Sequence, residues 1–222
     1  MRLVNSRLGL DIELKENTIS VLIIENKKEM RYAVESLYNQ CNGLEGDFIL
    51  SDDKVLKMDK CSQIIMNPFS VDFNSKKIIN ALYSEMSEVA NLYVEEKGEL
   101  NKRIIELMDR ILLSMSYSGI EYNIDFAWNE IFKLYGVKLE EQYSGLLEKT
   151  IEYIKVLSKL CRIRVLILVN YKAYFTVEEL QEIYSQAQYN KVYIFMIESN
   201  EEKRIGGENV YIIDKDRCFI VK

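Results

Sequence analysis

The sequence predicts an α/β protein: a mostly parallel sheet forming a head domain, with an α-helical subdomain inserted into it. Three observations lead there. Ile19 to Ile24 (ISVLII) is a β-branched run broken only by Ser20, the pattern of a strand buried on both faces. Val165 to Val169 (VLILV) and Val192 to Ile197 (VYIFMI) repeat that pattern, and the helical segment from Thr176 to Ala187 between them makes a βαβ unit. From about Ser75 to Leu160 the chain is helical in period and carries few breakers. The head is therefore expected from residues 1–73 and 163–222, discontinuous in sequence, and the helical leg from 74–162.

In chain order, Ile19–Ile24 is followed by Met30, Ala33, Val34, Leu37 and Cys41 at helical spacing, and Asn42-Gly43 is a good C-terminal cap. Extended runs follow near Phe48–Leu50 and Gln63–Met66, with Asp52, Asp53 and Lys54 marking a hairpin turn. Ser75 can cap a helix bearing Ile78, Ile79, Leu82, Met86, Val89 and Tyr93. Gly98 interrupts it before Leu100, Ile104, Leu107, Ile111 and Met115 continue the period. Gly119, Gly136 and Gly145 punctuate two further helices, Phe126–Tyr135 and Leu146–Leu160. Thr176 and Glu179 have the spacing of a capping box. Two short strands, Val210–Ile213 and Cys218–Val221, close the chain around a turn at Asp214–Arg217.

Composition narrows the chemistry. Among the 222 residues there is no histidine, which removes the commonest general base, every Ser-His or Cys-His pair and nearly every catalytic zinc site. Four cysteines without a CxxC spacing read as thiols of a cytosolic protein rather than as a disulfide framework. No apolar run has the length of a signal peptide or a membrane span, so the expectation is a cytoplasmic protein without a membrane partner. A net charge of −6 argues on average against nucleic acid, unless geometry concentrates the basic residues.

A phosphate loop needs glycines whose N–H groups wrap the phosphates, with a lysine and a hydroxyl at fixed spacing. After Ile24 the chain instead reads Glu25-Asn26-Lys27-Lys28-Glu29, and Asn170 stands where a strand-end aspartate would hold magnesium. Nucleotide binding is not expected. Glu121, Asn123, Asp125 and Glu130 place oxygen ligands at short spacing in a turn, with one more carboxylate on the next helix, a set suited to calcium. The alternative is that Asn123 or Asp125 caps the helix beginning at Phe126 and the rest is solvated. Lys155, Lys159 and Arg162 fall on one flank of a helix whose other side carries Leu147, Ile151, Ile154 and Leu157. Between Asn74 and Arg162 twelve basic residues face fourteen acidic ones, so the helical block is not basic as a whole. The tyrosines form no stacking string for single strands.

Taken together, the order of these features resembles the small accessory spacer-acquisition proteins of type II-A CRISPR loci. The resemblance rests on Leu10, Ile12, Leu14 and Thr18 before the Ile19–Ile24 strand, and on the acidic connection Glu121–Glu130 followed by LYGVKL at Leu134–Leu139. It rests also on VLILVN leading through Phe175-Thr176 into an acidic helix. It implies a non-enzymatic protein with a head like a degenerate P-loop NTPase and a helical leg. It further implies a ring-shaped homotetramer that binds double-stranded DNA ends through its channel, requires calcium, and acts with the CRISPR integrase and effector nuclease. Glu121, Asp125 and Glu130 match the family's calcium region, with Asn123 added on its chemistry. Lys138 matches a recurrent basic position, and Lys133, Lys149, Lys155 and Lys159 are candidates from their helical faces. A divergent nucleotide hydrolase and a helical interaction adaptor without DNA affinity are the alternatives.

Overall fold

The structure is a computed structural model and describes every residue except Ser118. It begins with a hairpin that the sequence pattern does not announce. β1 (Arg2–Asn5) and β2 (Leu10–Glu13) pair antiparallel, and strand alternation buries Leu3, Leu10 and Ile12. β3 (Ile19–Ile24) is buried at every position. α1 (Lys27–Cys41) starts at Asn26, whose Oδ1 accepts the N–H groups of Lys28 at 3.0 Å and Glu29 at 3.3 Å. It ends at Asn42, and the positive φ of Gly43 explains the Asn-Gly pair. β4 (Ile49–Ser51) and β5 (Val55–Leu56) make the hairpin expected at 52–54, but β4 pairs with β1. The result is a separate four-stranded antiparallel sheet in the order β2-β1-β4-β5. α2 (Met58–Cys61) then leads directly into β6 (Ser62–Ile65).

Residues Asn74–Glu140 form a unit of their own. α3 (Lys76–Ala90) packs on α5 (Trp128–Leu134), where Tyr83 and Phe132 approach to 5.8 Å between ring centroids and the Tyr83 hydroxyl donates to the Val137 carbonyl at 3.0 Å. The ends of the unit are tied by Asn74, whose amide donates to the Leu139 carbonyl at 3.1 Å and accepts its N–H at 2.9 Å. Ser75 makes no side-chain cap. α4 (Val94–Leu113) contains Gly98 within it; the break between α3 and α4 falls at 91–93 instead. A helix interior tolerates one glycine at a cost of about 1 kcal/mol, so the glycine alone does not end it.

The chain returns through α6 (Leu146–Lys159) to β7 (Val165–Val169), α7 (Val177–Tyr189), β8 (Tyr193–Glu198), β9 (Glu208–Ile213) and β10 (Phe219–Val221). The expected capping box on α7 is present: the Thr176 hydroxyl accepts the Glu179 N–H at 3.3 Å and Glu179 accepts the Thr176 N–H at 2.8 Å. The main sheet has the order β10-β9-β3-β8-β7-β6, with β10 antiparallel at one edge and every other pair parallel.

The second boundary differs from the sequence expectation. Met1–Phe73 joins Glu141–Lys222 in one unit, so the helical unit ends near residue 140 rather than 162. α6 belongs with the sheet: Ile151, Ile154 and Leu157 are buried, α6 packs on α7, and Tyr153 meets Phe73 edge-on at 5.2 Å. Amphipathic period shows that a helix has a buried face but not which neighbour covers it.

Candidate nucleic-acid interface and acidic segment

The candidate metal segment follows α4, and its residues are held along that helix. The Tyr122 hydroxyl donates to Asp109 at 2.5 Å, Asn101 donates to the Ile124 carbonyl at 2.6 Å, and Lys97 pairs with Asp125 at 3.0 Å. The order of these links, with later residues bound to earlier turns, shows that 122–125 runs antiparallel to α4. The Lys97 ammonium, donating to Asp125, holds that carboxyl below the ordinary aspartate range. The same ammonium lies 5.1 Å from the Phe126 ring centroid. Glu130 turns back to accept the Ala127 N–H at 3.0 Å, the reciprocal half of a capping box at the start of α5. Glu121 and Asn123 are exposed.

These four residues are therefore not drawn to one point within the single chain. Two of the three carboxylates are committed to Lys97 and to a helix start. Among the described residues, no three carboxylate or thiol side chains gather closely enough to hold a metal ion. The sequence spacing is right for oxygen ligands, but the segment is extended along a helix rather than coiled around a point.

The five candidate lysines divide between the two units. Lys133 and Lys138 belong to the helical unit, both exposed, one in the last turn of α5 and one after it. Lys149, Lys155 and Lys159 lie on α6 in the α/β unit. Lys149 donates to the Phe69 carbonyl at 3.3 Å, Lys155 pairs with Glu152 at 2.6 Å, and Lys159 is exposed. Along α6, Glu148 and Glu152 precede Lys155 and Lys159, so two acids offset two bases and the stripe is balanced rather than basic within one chain.

Sequence reading missed the most heavily buried charges. Lys172, just past β7, sends its ammonium to Glu208 at 2.9 Å, and the second Glu208 oxygen accepts from the Tyr184 hydroxyl at 2.7 Å. Burial and the neighbouring Glu208 push the Tyr184 phenol well up, which keeps it a donor. Glu198, at the end of β8, accepts the Lys172 N–H at 3.2 Å. The available signal was a lone carboxylate closing an apolar strand run, VYIFMIE. Asn170, at the strand end, adopts a left-handed backbone (φ 53°) and accepts the Ser199 N–H at 3.0 Å. The strand end is thus closed by an amide and a peptide N–H.

A mostly parallel α/β unit without a glycine phosphate loop, carrying an inserted helical unit and no histidine, defines a class of α/β proteins built without the usual nucleotide fingerprint. The chain belongs to the Cas_Csn2 family of CRISPR-associated proteins, whose family model matches residues 38–217. It is 24% identical over 217 residues to the CRISPR-associated protein Csn2 of Streptococcus agalactiae, spanning 95% of this chain and 94% of that protein. It is also 24% identical over 221 residues to the Csn2 protein of Enterococcus faecalis, spanning 97% and 96%. Its fold is similar to the crystal structure of Stu0660 of Streptococcus thermophilus, with a TM-score of 0.62 at 13% identity, covering 100% of this chain and 76% of that one. Among the described residues, no helix is long and apolar enough to cross a membrane.

Proposed function

We propose that this CRISPR-associated protein is a non-enzymatic, ring-shaped homotetramer that binds ends of double-stranded DNA without sequence preference during spacer acquisition, beside the integrase and effector nuclease of its locus. Family membership over residues 38–217 carries this reading. The helical unit supports self-association. α4 has no buried residue, yet Leu100, Ile104, Leu107 and Ile111 recur at helical spacing with 42%, 40%, 51% and 47% of their surfaces exposed. An amphipathic stripe left in water is what a partner copy covers. Leu107→Glu should therefore lower the mass measured by light scattering and abolish DNA retention. A variant that keeps the native mass removes α4 from the interface.

Because the single chain carries −6 and its α6 stripe is balanced, DNA binding has to arise from several copies presenting basic residues to one duplex. Contacts of that kind go to phosphates, fall steeply with salt and read no sequence. Removing Lys133, Lys138 or Lys159, which are exposed, should reduce the salt slope by about one for each copy whose lysine meets a phosphate. Lys155 should contribute less because Glu152 already holds it, and Lys149 is partly spent on Phe69.

The deciding experiment is a gel shift of linear against closed circular duplex, with calcium or chelator. Linear DNA should be retained and circles released; equal retention of both sinks the end-binding reading. The four oxygen donors Glu121, Asn123, Asp125 and Glu130 are not assembled within one chain, so the chelator arm tests calcium independently of end binding. Chelator should abolish retention if calcium is required. Retention unchanged by chelator removes calcium from the reading and leaves end binding standing. Heat released on titrating ATP with magnesium would favour a nucleotide hydrolase instead.

A further inference from the structure

The start of α1, directly after the central strand β3, is where an α/β fold offers a helix N-terminus to a phosphate. Here three segments of the α/β unit meet at that place. Glu29, in the first turn of α1, has only 5% of its side chain exposed. Arg7, from the β1–β2 turn, reaches its Oε2 at 3.3 Å, and Arg217, from the β9–β10 turn, reaches its Oε1 at 3.1 Å. Both arginines are more than half exposed, and Arg7 also lies 3.7 Å from the Tyr32 ring centroid. Arg7, Leu8, Glu29, Ile213 and Arg217 line a cavity of about 330 Å³. The helix N–H groups of Lys28 and Glu29 are satisfied by the Asn26 side chain, which is itself anchored through its amide to the Lys215 carbonyl at 3.0 Å.

We propose that this is a self-occupied anion site: the Glu29 carboxylate fills, from within the chain, the place between Arg7 and Arg217 that a phosphate or pyrophosphate group would otherwise take. The geometry has the parts of a phosphate cradle, two guanidinium groups converging at a helix start, each matched to one oxygen of a single bidentate anion. That anion is supplied by α1 itself. The absence of a glycine loop removes the backbone wrap, and Glu29 removes the remaining cationic opening. An incoming phosphate would have to displace a carboxylate held at high effective concentration, and any that approached without displacing it would meet a like charge. The clasp also ties the antiparallel hairpin and the C-terminal turn to the end of β3, so it serves the fold while it closes the site.

Glu29→Ala tests this in the full-length protein with sodium pyrophosphate as the probe, followed by titration calorimetry and by thermal unfolding. The wild type should show no pyrophosphate binding at millimolar concentration. The variant should bind at least ten-fold more tightly and gain thermal stability with pyrophosphate, and adding Arg7→Ala and Arg217→Ala should remove both effects. A folded Glu29→Ala protein indifferent to pyrophosphate, or a wild type that binds it equally well, overturns the proposal. If Glu29→Ala does not fold, Glu29→Gln carries the same test, because it keeps the side chain's shape and removes the competing charge; a Gln variant that ignores pyrophosphate overturns it too.

Discussion

Replacing Lys172 with Met should destabilise the α/β unit by about 3–5 kcal/mol, the usual cost of stranding one partner of a buried ion pair. Lys172 is 8% exposed and Glu208 1%, so neither charge can be rescued by water. Without the ammonium, Glu208 keeps two neutral donors, the Tyr184 hydroxyl at 2.7 Å and the Ile205 N–H at 3.0 Å, in a place that excludes solvent. Urea unfolding of the head, followed by tyrosine fluorescence or circular dichroism, reads the loss as a lower midpoint. Adding Glu208→Gln should restore much of it, because the amide oxygen can accept the Ile205 N–H while its NH2 group donates to the Tyr184 hydroxyl oxygen, and no stranded charge is left. A Lys172→Met protein within about 1 kcal/mol of the wild type would show that the pair contributes no such protection.

Glu198→Gln should stabilise the protein, with the gain appearing only as the pH rises. Glu198 is 4% exposed, and the buried Lys172 ammonium is already directed at Glu208. Burial pushes its carboxyl up to about 7, with Glu202 adding to the rise and the N–H and ammonium of Lys172 and the Tyr171 backbone opposing it. The folded state therefore holds the proton more tightly than the unfolded chain, whose carboxyl titrates at its ordinary value. The stability this contributes is present in full below pH 4.5, is lost as pH rises toward 7, and is gone above it. The interval from 4.5 to about 7 corresponds to about 3 kcal/mol. Gln keeps an oxygen to accept the Lys172 N–H and has no charge to bury, so the variant should match the wild type at pH 4.5 and exceed it by up to about 3 kcal/mol at pH 8. Parallel pH profiles for the two proteins would remove Glu198 as the titrating group.

Strands buried on both faces were legible in the sequence because such strands carry unbroken apolar runs. Ile19–Ile24 and Val165–Val169 form strands over those same residues, and β8 begins one residue after Val192. The α7 capping box was legible for a similar reason, since its signal lies within four consecutive residues. The β1–β2 hairpin was not: its strands are four residues long and half polar, and β1 is held in its sheet by pairing with β4, more than forty residues away in sequence. The candidate site divides the same way. The residue types at Glu121, Asp125 and Glu130 suit calcium, but Lys97 and the Ala127 N–H reach two of them first, and no local spacing announces that competition.

The sequence by itself determined the class of protein, through three buried parallel strands, a helical insertion, the absence of histidine and the missing phosphate loop. Tertiary structure decided where each charge went. It assigned α6 to the sheet, sent Lys172 to Glu208, and closed Arg7 and Arg217 around Glu29. The physical reason is range. Hydrophobic periodicity and capping are local and can be read along the chain, whereas the partner of a charge is set by whichever distant segment the fold brings within about 3 Å. For a protein of net charge −6 proposed to hold DNA, that pairing leaves only some of its lysines available to a phosphate.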